Sequence, residues 1–211
     1  MKSEKEIKER QEKFCASYPI RNKEHTPKTK AWDSAIKASI STRHYPVFSK
    51  IIEKKEAAIF FWKIELERLG EKYKKQSIDR DRFILDVFEL QDSINSSEYK
   101  ECFANNEIRV GQCQKSLSLF LKWMWCQHQL EYIPPVCPID RQVLKECYRI
   151  LVKTNSGTKE EKMNTGIPWS NLNDRELYRR LVDITEKVAS LENEPRTCVW
   201  ELFAFKEPNP K

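Results

Sequence analysis

Four glycines in a chain of 211 residues leave few positions that can turn through positive φ without strain. A fold of many tight turns between short strands is therefore disfavoured from the start. Apolar residues recur instead at three and four positions, the period of an amphipathic helix. In "SLSLFLKWMW", Leu117, Phe120, Leu121 and Met124 stand at i, i+3, i+4 and i+7. In "DRDRFILDVFELQDSI", Phe83, Ile84, Val87, Phe88 and Leu90 make a second such face. The expectation is an all-α protein. Hydrophobic residues at 39% and charged residues at 33% give an ordinary globular balance, and residues 1–211 are long enough for one domain with a real core or for two small helical lobes sharing a cleft.

Along the chain, the pattern predicts a short charged helix over 3–14, a second over Lys30 to Arg43, and a longer one from Val47 to about Tyr73 that ends near Gly70. Ser77 or Asp79 caps the next. Further helices fit "SSEYKECFA", Ser116 to Cys126, Arg141 to Leu151, "LNDRELYRRLVDITEKVASLE" and "RTCVWELFAF". The stretch "KTNSGTKEEKMNTG", Lys153 to Gly166, is polar and reads as a flexible loop.

No run of about 18 apolar residues exists, which argues against a transmembrane helix. The opening "MKSEKEIKERQEKF" is too charged for a secretory signal, so a cytoplasmic protein of bacterial or archaeal type is expected. The seven cysteines are odd in number and lack C-x-x-C pairs. They read as reduced structural thiols, and their spacing does not fit an iron–sulfur loop. The net charge of +6 is uneven: residues 1–75 hold 19 Lys and Arg against 11 Asp and Glu, leaving 19 against 21 in the rest. That asymmetry suits either a nucleic-acid footprint or solvated helix faces. Arg43 and His44, before "YPVF", are loop candidates for DNA contact.

The segment most informative about chemistry is "IRVGQCQKSLSLFLKWMWCQHQLEYIPPVCPIDRQVLKECY". A turn containing Gly111 precedes an apolar helix with Lys115 in its first turn, where the helix dipole disfavours a cation. A proline-rich loop then delivers "PID" to the start of another helix. This places Asp140 at an N-cap 25 residues after Lys115. "VGQCQK" and "CPIDRQV", in that order, resemble the two motifs of the helix-hairpin-helix DNA glycosylases. The similarity is greatest to the short, all-helical archaeal 8-oxoguanine type, and it covers about 40 residues, Ile108 to Tyr148, with the hairpin and catalytic segment at about 103–152. Where the family pattern has a second glycine, two residues before the lysine, this chain has Cys113.

The resemblance implies a DNA glycosylase with AP-lyase activity, excising a damaged or modified base in base-excision repair or in defence against phage with modified bases. It makes Lys115 the amine that attacks the anomeric carbon and forms a Schiff base. Asp140 becomes the carboxylate that stabilises the oxocarbenium-like sugar. Partial desolvation beside Leu119 favours the neutral amine. Backbone N–H groups of the hairpin at Gly111, Gln112 and Cys113, with Arg109, Lys122 and Arg141, are expected to hold double-stranded DNA while the target base flips out. Trp123, Trp125, Tyr132 and His128 are the candidates for a base pocket. No organic cofactor, iron–sulfur cluster or catalytic metal is implied; a monovalent or divalent cation at the hairpin is the ion the resemblance allows. A monomer is expected. Each residue also has a structural reading: a solvated lysine, an ordinary N-cap, a turn glycine, core aromatics. Two other classes stay open, a non-catalytic helix-hairpin-helix DNA-binding protein and a helical protein-interaction module.

Overall fold

The structure, a computed structural model, describes residues 1–17, 26–41, 46–49 and 54–205; Arg43 and His44 lie outside these. The described residues form nine α-helices: α1 (Glu4–Ser17), α2 (Pro27–Ile40), α3 (Lys55–Lys75), α4 (Arg80–Ser96), α5 (Val110–Cys126), α6 (Arg141–Lys153), α7 (Lys159–Asn164), α8 (Arg175–Leu191) and α9 (Thr197–Ala204). Three 3₁₀ turns and one isolated bridge, Phe48 to Phe103, complete them. The all-α expectation holds for these residues.

Helix α5 is the centre of the packing, with α1, α2, α3, α4 and α8 all against it. Every residue of α5 is buried except Lys115 and Leu119. A helix apolar all round belongs inside a core, and α5 is such a helix with a single window one turn wide. Around it runs one continuous set of buried side chains, from Ile7 to Leu202. Helix α1 and the residues before it meet the last described helix and its approach: Lys2 N donates to Glu194 Oε2 at 2.6 Å, and Arg10 Nε on α1 donates to the Leu202 carbonyl on α9 at 2.9 Å.

Local signals explain most helix starts. Thr26 and Thr29 make a reciprocal capping box with Pro27 at the first helical position, so α2 begins three residues before its expected start. Asp79 accepts from Arg82 N and opens α4, and Asp174 opens α8. Three expectations change. Helix α3 starts at Lys55, not at Val47, where the chain instead forms a bridge at Phe48, and it continues through Gly70 to Lys75; a Cβ at Gly70 would come within 2.7 Å of Phe120 Cε1, so the glycine admits a neighbouring ring and does not end the helix. "SSEYKECFA" forms 3₁₀ turns, Lys100–Cys102 and Ala104–Asn106, in place of a helix. The presumed loop "KTNSGTKEEKMNTG" contains α7, opened by a Thr158–Glu161 capping box and held to α8 by Lys187–Glu161 and Arg180–Glu160 ion pairs.

Candidate active site

Helix α5 starts at Val110, so Gly111 is inside the helix and Lys115, its sixth residue, lies in the second turn. Lys115 is the one charged side chain of this helix that reaches the surface. Its Nζ lies 3.3 Å from Asp140 Oδ2, with side chains 11% and 27% exposed. Asp140 divides its two oxygens: Oδ1 accepts from Gln142 N at 2.8 Å and Val143 N at 3.2 Å, capping α6, and Oδ2 faces the amine. Capping and pairing therefore coexist on one carboxylate. The pair borders a cleft of about 720 Å³, lined also by Ser41 from the end of α2, Arg141, Gln142 and Lys145 from α6, and Thr165 to Ser170 after α7.

The third wall is aromatic. Lys115 Nζ sits 4.2 Å from the centroid of the Trp169 ring, so the amine has a carboxylate on one side and a π-face on another, two contacts an ammonium makes well. "IPWSN" lies between the stretch read as a loop and the next expected helix, and the isolated tryptophan beside a proline was the only sequence sign of a fixed position there.

Gly111 explains why Trp169 is in place. A Cβ on it would lie 1.9 Å from the Trp169 carbonyl oxygen, and its N–H donates to the Leu172 carbonyl at 2.8 Å. Arg109 Nη1 and Gln112 Nε2 both donate to the Ser170 carbonyl, at 3.3 and 3.0 Å. The "VGQCQK" motif thus seats the Trp169–Asn171 turn against α5. This corrects the expected role of the hairpin amides. Val110 N donates to Asn173 Oδ1, Gly111 N to Leu172 O, and Gln112 N and Cys113 N both to Arg109 O. Gln112 and Cys113 are buried, and Cys113's thiol is pushed up by that burial. All four amides are occupied internally, so none is left to bind a phosphate.

The other residues of the sequence reading separate. Arg141 is exposed and lines the cleft. Lys122 is not available to DNA: it is buried and paired with Glu201 Oε2 at 2.5 Å. Trp123 and Trp125 are core residues, 4% exposed each, roughly 12 to 15 Å further along the helix axis than Lys115. Trp123 packs on Phe14 with centroids 4.7 Å apart, and the Trp125 carbonyl accepts from Gln11. His128, at φ 57, turns the chain out of α5 at its C-terminal end, and neither it nor the exposed Tyr132 lines the Lys115 cleft. The residues expected as a base pocket therefore stand apart from the pair: the rise of the helix carries the buried Trp123 and Trp125 away from Lys115, and His128 and Tyr132 follow beyond its end.

Sequence reasoning also missed Gln114. Its side-chain amide donates to the Ile139 carbonyl at 2.7 Å and accepts from the Ile139 N–H at 3.1 Å. A polar residue inside an apolar helix was the available signal. As to ions, among the described residues there is no group of three or more His, Cys, Asp and Glu side chains that could hold a metal. Before α5, the Ile108 carbonyl accepts from Gln91 and Asn95, and the Arg109 carbonyl from the Gln112 and Cys113 amides, so the oxygens nearest the expected cation site already have donors. All seven cysteines are free thiols, six of them buried; burial pushes Cys147 up to about 12, the state of an inert core thiol. Among the described residues no helix is long and apolar enough to cross a membrane. Comparison with known proteins found no matching family model, no matching curated protein and no matching solved structure.

Proposed function

We propose that this chain is a DNA glycosylase with AP-lyase activity, acting as a monomer on double-stranded DNA whose damaged or modified base is flipped into the cleft. One observation carries the reading: Lys115 and Asp140, 25 residues apart in sequence, meet at 3.3 Å on the edge of a cleft of about 720 Å³. Lys115 is the charged side chain of a buried helix that reaches the surface, with a carboxylate and an aromatic ring as neighbours.

In this reading the Lys115 ammonium gives up a proton to solvent, Asp140 stays a carboxylate, and the freed amine attacks C1′ of the sugar. The bond from Nζ to C1′ forms as the glycosidic bond breaks, and the base departs with the bonding pair. Asp140 stabilises the positive charge that develops on the sugar in between. Ring opening gives a Schiff base, which acidifies C2′; loss of that proton expels the 3′ phosphate. Trp169 offers an apolar wall to the extruded base, and Arg141 and Lys145 supply the cations that meet the phosphates, in place of the hairpin amides. The two-lobed helix-hairpin-helix arrangement and a place in base-excision repair or antiphage defence belong to this proposal.

The test is borohydride trapping of the full-length protein on duplexes carrying an abasic site, 8-oxoguanine, uracil or a modified cytosine. A covalent adduct is expected, absent in Lys115→Gln and reduced by about 10²-fold or more in Asp140→Asn. An adduct of equal yield in Lys115→Gln would overturn the assignment. A second reading, a non-catalytic helical DNA-binding module, is favoured by the hydrogen bonds that tie Lys115's partner to an N-cap; it predicts salt-sensitive duplex binding without base release or adduct.

A further inference from the structure

Gln114 precedes Lys115 in the chain as Ile139 precedes Asp140, and the two preceding residues are locked together. Gln114 is fully enclosed. Its Nε2 donates to the Ile139 carbonyl at 2.7 Å and its Oε1 accepts from the Ile139 N–H at 3.1 Å. Ile139 lies outside the helices, and its carbonyl belongs to the peptide unit whose nitrogen is that of Asp140. Further back the loop is held through Thr197, whose Oγ1 accepts from Cys137 N and donates to the Pro135 carbonyl. Beyond the cap bonds that Asp140 itself accepts from Gln142 N and Val143 N, the Gln114 amide is the side-chain anchor of the loop that leads into the acid, a rung joining the residue before the amine to the residue before the acid.

We infer that Gln114 is a positioning residue for the Lys115–Asp140 pair: by pinning the peptide from which Asp140 projects, it sets the approach of Oδ2 to the amine. The inference rests on the reading of that pair as the reacting groups. The chemistry of the clamp is specific. An amide presents one donor and one acceptor, matching the N–H and C=O of a single residue, whereas a carboxylate can only accept and a thioether can do neither well. Of the charged groups near Lys115, Asp140 faces it directly, and Arg141 and Lys145 line the same cleft.

Two full-length variants test this. Gln114→Met keeps the volume and removes both hydrogen bonds. Gln114→Glu keeps the shape, loses the donor when ionised, and regains it when the buried carboxyl is protonated. Two readouts are made across pH, each relative to wild type at the same pH, after circular dichroism establishes that the variants are folded. One is labelling of Lys115 by pyridoxal phosphate and borohydride, read by peptide mass spectrometry without DNA. The other is the single-turnover rate of adduct formation on an abasic duplex. Gln114→Met is expected to shift Lys115 labelling in the same direction as Asp140→Asn does. Its adduct rate is expected to fall about 10²-fold, the effect of a misplacement near 1 Å, at unchanged duplex affinity. Gln114→Glu is expected to behave like Gln114→Met at neutral pH and to recover relative to wild type as pH falls.

A folded Gln114→Met that labels and reacts as wild type overturns the inference. If Gln114→Met does not fold, Gln114→Glu decides: recovery on acidification supports the clamp, and a pH-independent ratio to wild type overturns it. If wild type forms no adduct yet the labelling shift appears, the clamp stands and the glycosylase reading falls. If wild type forms the adduct and the variants match it, the glycosylase reading stands and the clamp falls.

Discussion

A single missing Cβ organises the candidate site. The glycines in the described residues all have ordinary negative φ, so Gly111 is needed for space and not for an unusual backbone angle. Its Hα faces the Trp169 carbonyl oxygen at a separation where a methyl group cannot fit. Gly111→Ala must push the Trp169–Asn171 turn away from α5, losing the Gly111 N–H bond to Leu172 and drawing the tryptophan ring off Lys115. The expected outcome is a loss of about 1–3 kcal/mol in stability, the usual range for an overpacked core position, together with slower adduct formation by the folded protein. Denaturant titration and single-turnover trapping measure the two effects. An alanine variant with the wild-type midpoint would mean that the turn is not seated on this glycine. The same residue-level reading gives Lys115 its setting: it and Leu119, one turn apart, are the places where a buried helix reaches the surface.

At the scale of elements, α7 matters because the segment after it, Thr165 to Ser170, forms one wall of the cleft. Six residues are too few for a stable isolated helix, and α7 depends on its cap and its ion pairs. Glu161 does both: its carboxylate accepts from Lys187 and from Thr158 N. The hydrogen bond from Lys187, opposed by some desolvation and helped by Thr158, holds its pKa below the ordinary 4.5. A carboxylate depressed in the folded state adds stability that is fully present above its unfolded value and is lost as pH falls through the folded one. Acidification from neutral pH through 4.5 and below is therefore expected to loosen α7 from α8 before the rest of the chain opens. Lower protection factors of the amides in 159–166, each rate taken relative to the intrinsic rate at that pH, would report it. Lys187→Met should lower that protection at neutral pH and remove its acid step. An α7 whose protection factors are the same at neutral and acid pH in both proteins would contradict this account.

Across the whole molecule, α5 is tied to the C-terminal helix by a buried charge pair, Lys122 with Glu201. Burial disfavours the ammonium, but the Glu201 carboxylate, through its charge and its hydrogen bond, outweighs it and leaves Lys122 above the ordinary lysine range. Removing one member of such a pair strands the other in an apolar setting. Lys122→Met is expected to destabilise the fold by about 3–5 kcal/mol, and Lys122→Met with Glu201→Leu to recover much of that loss. Thermal or denaturant unfolding checks both. Because Lys122 faces the core, neither change should alter the salt dependence of duplex binding by the folded protein, whereas Arg141→Gln should lower that slope by about 1. A salt slope that fell in Lys122→Met would return the residue to the DNA surface.

The sequence by itself determined most of the helices and their order, though not the 3₁₀ turns of "SSEYKECFA" or helix α7. Helical periodicity, Asp79 and Asp140 as caps, and the scarcity of glycine are local signals, and local hydrogen bonds and side-chain spacing suffice to read them. It also singled out Lys115 and Asp140, because an amine in an apolar helix and an acid after a proline-rich loop are each unusual for their surroundings. Tertiary structure alone decided what those residues meet. Gly70 and Gly111 read locally as a stop and a turn, yet each exists to admit a neighbour, Phe120 in one case and the Trp169 carbonyl in the other. Lys122 looks like a surface cation until Glu201, 79 residues away, closes over it. Trp169 carries no motif and Gln114 stands inside "VGQCQK" without a role of its own there, and the roles of both arise from contacts with residues 25 or more positions distant. A spacing pattern records which face of a helix is apolar; it holds no information about which distant backbone carbonyl will be pressed against that face, and the candidate site is built from such contacts.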